Sequence, residues 1–390
     1  MEIRLLQGAE RFDARLIATV AFHGRMEDPG KSRQEADRET DQHWGAFDDD
    51  GTLMAHMINN QYMSWLDGTL IRNGGIGAVS TLPEYRRTGA VREIFKALLP
   101  HAYADGEVIS TLYPFSHAFY RKFGYETVCW KNIYEFSPAV LEKNYSFDGK
   151  AALWKQGDPA GEWTELYNGF ASKYNLAVRR DGRLMEEHLK GEYYKDRKFC
   201  YLLRECGRAV ASIIFQDVRH DPQAILDVQD LAWDGPEGFR AVLGFLARFS
   251  ADYGTIRLFL PRDIELLSLV RTPLQYDIQK TAEQSYMIRV INAVKLLEAM
   301  KKPENCRFVI RVTDEIIPEN NGTWEVTAEG VTPAGEDPDL CVTEKALGQL
   351  ASGAAGLPEA ELRGDTVVYR NRETLEKTFV RKPILVEEHF

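Results

Sequence analysis

Apolar positions recur every three to four residues in two stretches of the chain, which is the spacing of an amphipathic helix. The first helix begins near residues 87–91, and its apolar face consists of Val91, Ile94, Phe95, Leu98 and Leu99. The second covers 236–252, and its apolar face consists of Phe239, Val242, Leu243, Leu246 and Phe249. Both patterns predict helices that bury one face.

Segments with strand character surround each of these helices. In the first part of the chain, a polar helical region at 9–40 precedes the segments HWGAF, TLMAHMINNQYMSWL, IRNGGIGAVSTL, VISTLYPF and ETVCWKNIYEF. In 151–290 the corresponding segments are KFCYLLRE, AVASIIFQDV, AILDVQDLAWD and TIRLFLP. The shared order of elements predicts an internal repeat, in which each copy forms a mixed α/β sheet.

The final part of the chain has a different pattern. Short strands are predicted in RFVIRVTD, NNGTWEV and TVVYRN, with one helix near TEKALGQLASGA. The last segment, FVRKPILVEEHF, is extended and apolar, whereas a frayed tail is usually polar, so we expect it to pack against the protein. We therefore predict three domains, 1–145, 146–292 and 293–390, of the α/β (α+β) class.

Composition narrows the possible functions. The chain has 390 residues, of which 44% are hydrophobic and 27% charged, as in folded globular proteins. Its net charge of −11 argues against general nucleic-acid binding, which needs a basic face. No run of about 18 apolar residues occurs, so we expect no membrane span.

Targeting and metal signals are lacking in the sequence. The first residues, MEIRLLQGAERFDARLIATVAF, contain acids and no small-residue cleavage site, so they do not resemble a signal peptide. The five cysteines are scattered without CxxC spacing, which indicates neither a disulfide framework nor a zinc site. We expect a cytoplasmic protein without a metal.

The stretch VSTLPEYRRTGAVREIF, residues 79–95, contains the strongest candidate for a ligand site. The amide groups at a helix N-terminus have no partners within the helix and carry partial positive charge. Arg86, Arg87 and Gly89 precede that terminus, so the segment suits a pyrophosphate. The alternative is a surface loop with solvated arginines. In the second copy Glu237 occupies the corresponding place and would repel an anion, which suggests a scaffold.

A second candidate lies in LYPFSHAFYRKFGYE, residues 112–126. Tyr120 is placed on a short helix that ends at Gly124, because glycine readily adopts the left-handed conformation that stops a helix. A phenol can donate a proton without first carrying a charge. The alternative is a core aromatic residue beside Phe119 and Phe123.

Together these two stretches resemble the GNAT acetyltransferases, which have V-x-V-x-P-x-x-R-x-x-G before a helix and Y-x-x-x-G-[FY] downstream. The doubled arginine, the altered second copy and the apolar C-terminus resemble one branch, the enhanced intracellular survival (Eis) family. That resemblance implies a catalytic GNAT domain at 1–145, a degenerate GNAT-like domain at 146–292 and a sterol-carrier-protein-like domain at 293–390.

The resemblance also implies roles for particular residues. The strand residues expected to bind the pantetheine amides of acetyl-CoA through their backbone are Val79, Ser80 and Thr81. The residues expected to hold its pyrophosphate are Arg86, Arg87, Thr88, Gly89, Ala90, Val91 and Arg92. Phe115 and Ser116 would lie beside the thioester arm, Tyr120 would be the general acid, and the carboxylate of Phe390 the general base. Val91 departs from the small residue that most GNAT proteins have there.

The implied activity is acetyl-CoA-dependent N-acetyl transfer to a primary amine, directly within a ternary complex. The acceptor would be an aminoglycoside-like molecule, a polyamine or a lysine side chain, and the assembly a homo-hexamer. Acids that would attract a cationic acceptor are Glu27, Asp28, Glu35 and Asp37, for which the alternative is a solvated helix face. Other candidate bases are His23, His117 and His389, for which the alternative is an ordinary surface or packing histidine. Two alternatives are a non-catalytic acyl-CoA or lipid-binding protein and a GNAT-like protein that has lost catalysis.

Overall fold

The computed structural model describes residues 1–36, 41–220, 223–271 and 277–388. Backbone contacts divide the chain into two compact units. Unit 1 contains Met1–Val128, Tyr286–Lys382 and the chain from Glu388 onward, whereas unit 2 contains Cys129–Ser285 and Pro383–Glu387. The predicted boundaries at 145/146 and 292/293 stay predictions.

The chain forms the following strands and helices in the described ranges. The strands are β1 (Glu2–Leu5), β2 (Gln42–Phe47), β3 (Leu53–Leu66), β4 (Thr69–Thr81), β5 (Ile109–Leu112), β6 (Glu126–Phe136), β7 (Lys150–Leu153), β8 (Lys198–Glu205), β9 (Arg208–His220), β10 (Gln223–Trp233), β11 (Thr255–Leu260), β12 (Ile278–Val290), β13 (Arg307–Thr313), β14 (Gly322–Thr327), β15 (Val331–Pro333), β16 (Leu340–Thr343) and β17 (Thr366–Val368). The helices are α1 (Glu10–Ala21), α2 (Pro29–Ala36), α3 (Ala90–Ala104), α4 (His117–Tyr120), α5 (Ala139–Glu142), α6 (Gly161–Ala171), α7 (Gly182–Leu189), α8 (Gly235–Ala247), α9 (Leu266–Leu269), α10 (Ala293–Ala299), α11 (Glu344–Ser352), α12 (Leu357–Glu361) and α13 (Arg372–Thr378).

The first sheet of unit 1 has the order β1-β2-β3-β4-β5. β4 and β5 are parallel because α3 crosses between them, and the other neighbours are antiparallel. The end of β12, residues 287–290, pairs antiparallel with the free side of β5. The predicted mixed α/β sheet is therefore confirmed.

The apolar stripe of α3 packs into the core of unit 1. Ile94, Phe95, Leu98 and Leu99 are at most 1% exposed, whereas Val91 is half-buried. Phe95 stacks on Phe123 with ring centroids 4.3 Å apart. Each fully buried side chain of this size contributes about 1.5–3 kcal/mol, so burial of this face holds α3 against the sheet.

The sheet of unit 2 repeats this topology. Its order is β7-β8-β9-β10-β11, with β10 and β11 parallel on either side of α8, and residues 132–136 of β6 complete it beside β11. The internal repeat predicted from element order is thus present in the fold. The predicted helix over 236–252 is shorter, because α8 ends at Ala247 and turns follow, although Phe249 still packs against Phe245.

Within the polar helical region predicted at 9–40, the described residues form two helices, α1 and α2, and residues 37–40 lie outside the described residues. α2 starts at Pro29, a residue that suits the first helical position because it lacks an amide proton. The carboxylate of Asp28 accepts a hydrogen bond from the Lys31 amide at 2.9 Å. This contact gives an amide in the first turn of α2 a partner, which favours the start of a second helix at Pro29.

The C-terminal part of unit 1 forms a separate sheet of order β15-β14-β13-β16-β17, in which β13 and β16 are parallel. The predicted strands and the helix α11 are all present. Within unit 2, the terminal segment packs as predicted: the Asn175 amide donates to the Pro383 carbonyl at 2.9 Å, and Leu385 and Val386 are buried. No helix in the described ranges is long and apolar enough to cross a membrane.

Candidate functional site

Strands β4 and β5 separate at one end of the sheet in unit 1. Their parallel pairing covers residues 73–76 and 109–112, but β4 continues to Thr81. On its other side, β4 contains a bulge: Ser80 pairs with His56 and Gly77 with Ile58, so Ala78 and Val79 together face Met57. Ala78 has a left-handed φ of 49°. The β5 side of residues 77–81 is thereby open to an extended ligand, which can add to a strand through backbone hydrogen bonds.

The start of α3 lies directly after this strand end. A 3₁₀ turn, Pro83–Tyr85, leads into Arg86 and Arg87, and α3 begins at Ala90 with Gly89 as its N-cap. No side chain caps the helix, so its first amide groups point outward without side-chain partners. Gly89 has φ of 90°, and a Cβ there would lie only 2.7 Å from Nη2 of Arg92. The helix start therefore depends on a glycine, as predicted.

The charged groups around this helix start are mostly cations. Arg86 and Arg87 are exposed, and neither forms an ion pair within the described ranges. Nε of Arg92 lies 3.2 Å from Oε1 of Glu93, and Nζ of Lys96 lies 3.1 Å from the same oxygen. The hydrogen bond from Lys96 has the largest effect and lowers the pKa of Glu93. The hydrogen bond from Arg92 acts in the same direction, and together they outweigh slight burial, which would raise this pKa. Arg86 and Arg87 thus remain available for an anionic ligand.

The end of β4 and the start of α3 line the same cavity, which has a volume of about 930 Å³. Small-molecule sites usually have volumes of roughly 300–1,000 Å³. The predicted residues that line it are Val79, Ser80, Thr81, Arg86, Arg87, Gly89, Ala90, Val91, Arg92 and Phe115. Ser80 is 3% exposed, and its Oγ has no hydrogen-bond partner within the described ranges. A buried hydroxyl without a partner is costly, so this atom is suited to a polar group of a ligand.

Among the described residues predicted for acetyl-CoA binding or catalysis, three do not line the cavity. The hydroxyl of Thr88 donates to the Tyr85 carbonyl at 2.8 Å. Ser116 is the N-cap of α4, where its Oγ accepts a hydrogen bond from the Phe119 amide at 3.3 Å. The side-chain oxygens of both residues thus make local turn and cap contacts. The third is Tyr120.

Tyr120 lies one aromatic layer away from the residues that line the cavity. Its ring is 2% exposed and contacts Phe115 and Phe119 edge-on, each at 5.2 Å between centroids. Burial raises the pKa of its hydroxyl above the usual value for tyrosine. Tyr120 therefore has the core contacts that the alternative interpretation expected, and it also packs against Phe115, which lines the cavity and is 70% exposed. A 3₁₀ turn, Arg121–Phe123, continues α4 and ends at Gly124, which has φ of 82°, as predicted.

The cavity also contains residues that the sequence analysis did not identify. Lys96 lies one helical turn after Arg92 on α3, so helical periodicity offered a signal for it. Lys122 and Phe119 come from the segment after Phe115, and Phe22, which is 62% exposed, follows α1. Among the described residues that line the cavity, Glu315 is the one acid, beside the cations Arg86, Arg87, Arg92, Lys96 and Lys122.

Glu315 and Ile316 belong to the turn after β13, and a buried ion pair holds that turn. Nη2 of Arg289 lies 2.6 Å from Oδ1 of Asp314, and both side chains are completely buried. The same carboxylate oxygen accepts hydrogen bonds from the amides of Ile316 and Ile317. Burial alone would raise the pKa of Asp314, but these contacts outweigh it and hold that pKa below its usual value. No sequence signal indicated this contribution.

The other predicted groups are only partly described. Phe390, His389 and Asp37 lie outside the described residues, as does the side chain of Glu35. Glu27, Asp28 and His23 are exposed, and His117 is half-buried. The described residues contain no cluster of three or more side chains that would hold a metal.

The last described residue is anchored within unit 1. Glu388 is 2% exposed, and its carbonyl accepts a hydrogen bond from the Tyr286 hydroxyl at 2.5 Å. The ring of Tyr286 packs edge-on against Tyr113, with centroids 5.5 Å apart. Tyr113 follows β5 and precedes Phe115 by two residues. The end of the described chain therefore lies near the segment that contains Phe115.

Comparison with protein families identifies two segments of the chain. A family model described as "Acetyltransferase (GNAT) domain" matches residues 2–128, and one described as "Sterol carrier protein domain" matches residues 290–385. The chain contains a GNAT acetyltransferase domain and a sterol carrier protein domain. The open strand end, the helix start and the cavity residues 79–92 all lie in the GNAT domain. No curated protein matches the sequence significantly.

Solved structures share the fold over the full length of the chain. A GCN5-related N-acetyltransferase from Anabaena variabilis has a TM-score of 0.87 at 18% identity, with 100% of both chains covered. Eis1 from Mycobacterium abscessus has a TM-score of 0.83 at 20% identity, again with 100% of both chains covered. A protein from Enterococcus faecalis, described as a "Probable N-Acyltransferase", has a TM-score of 0.87 at 18% identity and covers 100% of this chain and 99% of its own.

These comparisons confirm the predicted resemblance and fold class. The chain combines a GNAT domain with a sterol-carrier-protein domain, and Eis1 has the same fold. At 18–20% identity the structural likeness concerns the fold alone.

Proposed function

We propose that the protein is an acetyl-CoA-dependent N-acetyltransferase that transfers the acetyl group directly to a primary amine in a ternary complex. The observation that carries this proposal is the convergence of an open, bulged strand end and an uncapped helix N-terminus in one cavity. The first feature suits the amides of pantetheine and the second suits a pyrophosphate. We further propose a cytoplasmic homo-oligomer, for which a hexamer is the expected form.

Binding of the co-substrate is assigned to groups along the cavity. The backbone of Val79, Ser80 and Thr81 would bind the pantetheine amides, with the Ser80 hydroxyl as an additional polar contact. The amides at the start of α3, with Arg86 and Arg87, would bind the pyrophosphate, because charge-assisted hydrogen bonds to phosphate are strong. Gly89 permits close approach of the backbone. Acetyl-CoA supplies the acetyl group as an activated thioester.

Tyr120 is proposed as the group that protonates the departing sulfur. As the amine nitrogen bonds to the carbonyl carbon, the carbon–sulfur bond breaks, and the phenol would give its proton to the sulfur. Burial keeps this hydroxyl protonated at neutral pH. Because Phe115 and Phe119 pack against Tyr120, this role requires the exposed Phe115 ring to move when the co-substrate binds. Catalytic contacts often tighten only in the complex.

The carboxylate of Phe390 is proposed to accept the proton that the amine loses. A terminal carboxylate has an ordinary pKa of about 3.3–3.7 and is a weak base for an ammonium with a pKa of about 10.4. Partial desolvation beside the acceptor would raise that pKa, and its negative charge would attract the cationic amine. Glu388, two residues earlier, is anchored to Tyr286, whose ring packs against Tyr113 of the GNAT domain, and this supports the proposal.

The proposed activity can be tested by measuring thiol release from acetyl-CoA in the presence of polyamines, aminoglycosides and lysine peptides. We expect amine-dependent release and an acetylated amine of matching mass. If none of these classes supports release while acetyl-CoA binds the protein, the chain binds the co-substrate without catalysis, and the proposed function is wrong.

The double variant Arg86→Gln/Arg87→Gln should bind acetyl-CoA about 10–100-fold more weakly. It removes two cations that have no ion pair within the described ranges, and a hydrogen bond to a charged group contributes about 1.5–3 kcal/mol. Isothermal titration calorimetry measures the dissociation constant. The control Arg183→Gln/Arg240→Gln changes the net charge equally at exposed positions of unit 2 and should leave the affinity unchanged. Equal losses in both variants would indicate a general charge effect.

A short peptide added after Phe390 should lower kcat strongly, because it converts the carboxylate into an amide and displaces the charge. The same peptide added before Met1, which is 50% exposed, should have no effect. Both proteins are compared by thiol release and by acetyl-CoA affinity. Full activity of the C-terminally extended protein would exclude the Phe390 carboxylate as the base.

A further inference from the structure

Unit 2 contains a cavity of about 560 Å³ at the place that corresponds to the first one. The first cavity lies between the residues that end α1, the end of β4, the start of α3 and the segment after β5. The second lies between the end of α6, the end of β10, the start of α8 and the segment after β11. The degenerate copy thus retains the cleft of its fold.

Four aromatic side chains form much of this second cavity. Phe170 packs against Trp233 with ring centroids 4.3 Å apart and against Tyr174 at 5.0 Å. Phe239, on the first turns of α8, packs against Trp233 at 4.9 Å. Trp233 and Phe239 remain half-buried. These two rings can offer electron-rich faces to a ligand, whereas Phe170 and Tyr174 are buried behind them.

The second cavity lacks the features that suit a phosphate. In the GNAT domain Gly89 is the N-cap of α3, and Arg86 and Arg87 precede it. In this copy Asp234 is the N-cap, and α8 begins with Gly235, Pro236 and Glu237. Pro236 has no amide proton to offer, and Glu237 places a negative charge in the first turn of the helix. An anion is therefore disfavoured at this helix start.

Charged groups of both signs lie near the aromatic rings. Asp263, Glu265 and Lys173 line the cavity, and Lys280 neutralises Glu265 through a contact of 2.5 Å. Asp263 forms no ion pair within the described ranges. Burial first, and then the charges of Asp263 and Glu387, raise the pKa of Tyr174.

We propose that this second cavity binds an organic ammonium ion, held between the aromatic rings and the carboxylate of Asp263. A cation over the face of an aromatic ring is attracted by the ring's quadrupole, and tryptophan is the strongest partner. The negative carboxylate would attract a cationic ligand, whereas it would give no such attraction to a neutral ligand and would repel an anion. This site is separate from the proposed acetyl-CoA site and does not depend on the protein's being an acetyltransferase.

Choline and its uncharged analogue 3,3-dimethylbutan-1-ol, which have nearly the same shape, provide the test. In calorimetric titrations of the full chain, choline should bind at least about tenfold more tightly than the analogue, because a desolvated cation–π contact is worth roughly 2 kcal/mol or more. Saturating coenzyme A should leave the choline dissociation constant unchanged. Three results would overturn the proposal: equal binding of both probes, no detectable binding of choline, or competition between choline and coenzyme A.

The variant Asp263→Asn isolates the contribution of the carboxylate. Because Asp263 is exposed at the cavity, we expect the variant to fold normally, to bind choline at least about fivefold more weakly and to bind the uncharged analogue as before. The matched control is Asp252→Asn, an exposed acid of unit 2 that does not line the cavity, and it should leave choline binding unchanged. Unaltered choline affinity in Asp263→Asn, or an equal loss in both variants, would contradict the assigned role.

Discussion

The variant Tyr120→Phe should have a kcat about 10²–10⁴-fold below that of the unaltered protein, with nearly the same dissociation constant for acetyl-CoA. The change removes only the hydroxyl oxygen and keeps the ring that packs against Phe95, Phe115 and Phe119. The departing thiolate would then have to leave unprotonated or take a proton from water. Thiol release and calorimetric titration measure the two constants.

Tyr125→Phe is the matched control for this variant. Tyr125 is also completely buried, and its hydroxyl shares a hydrogen bond of 2.8 Å with Ser110. Loss of that hydrogen bond should cost stability, about 1 kcal/mol, and affect kcat little. A Tyr120→Phe protein that turns over at the unaltered rate would show that Tyr120 is a core residue only.

The variant Asp314→Ala should lose about 3–5 kcal/mol of unfolding free energy, because it leaves Arg289 buried without its counter-ion. It should also weaken acetyl-CoA binding, since Asp314 holds the turn that brings Glu315 and Ile316 to the cavity. Denaturant unfolding and calorimetric titration measure these effects. The control Arg372→Met removes partly exposed ion pairs with Glu361 and Glu376 and should lower the unfolding free energy far less than Asp314→Ala does.

The double variant Arg289→Met/Asp314→Leu sharpens this test. Replacing both members of a buried ion pair with apolar residues is often much less harmful than removing one. We therefore expect the double variant to unfold at a higher denaturant concentration than Asp314→Ala. A double variant as unstable as the single one would show that the hydrogen bonds from Asp314 to the turn matter more than the charge of Arg289.

The same ion pair makes a predictable contribution to stability in acid. The pKa of Asp314 is lower in the folded protein than its usual value of 3.8. The folded state therefore gains stability from this carboxylate at pH values above 3.8, and the gain is lost as the pH falls through the lower folded pKa. Asp314→Ala should lack this component of the stability profile.

Several features of the candidate site were predictable because they depend on neighbouring residues. The apolar stripe of α3 and the left-handed glycines at 89 and 124 follow from spacing and from the conformational freedom of glycine. The cations of the helix start were also identifiable from their sequence context. By contrast, the position of Tyr120 behind Phe115 depends on how aromatic side chains pack around α4.

Much of the order of strands and helices, the repeat, and the segment that joins β4 to α3 could be read from the sequence, although several strands, such as β1, β7 and β12, were not predicted. The tertiary structure was needed to show that β5 pairs with β12, that Glu315 and Ile316 reach the cavity, and that Tyr120 packs behind Phe115. Local conformational preferences act between residues close in the chain and are therefore readable from it. The meeting of distant segments depends on the sum of many weak burial and pairing contacts, to which every part of the fold contributes.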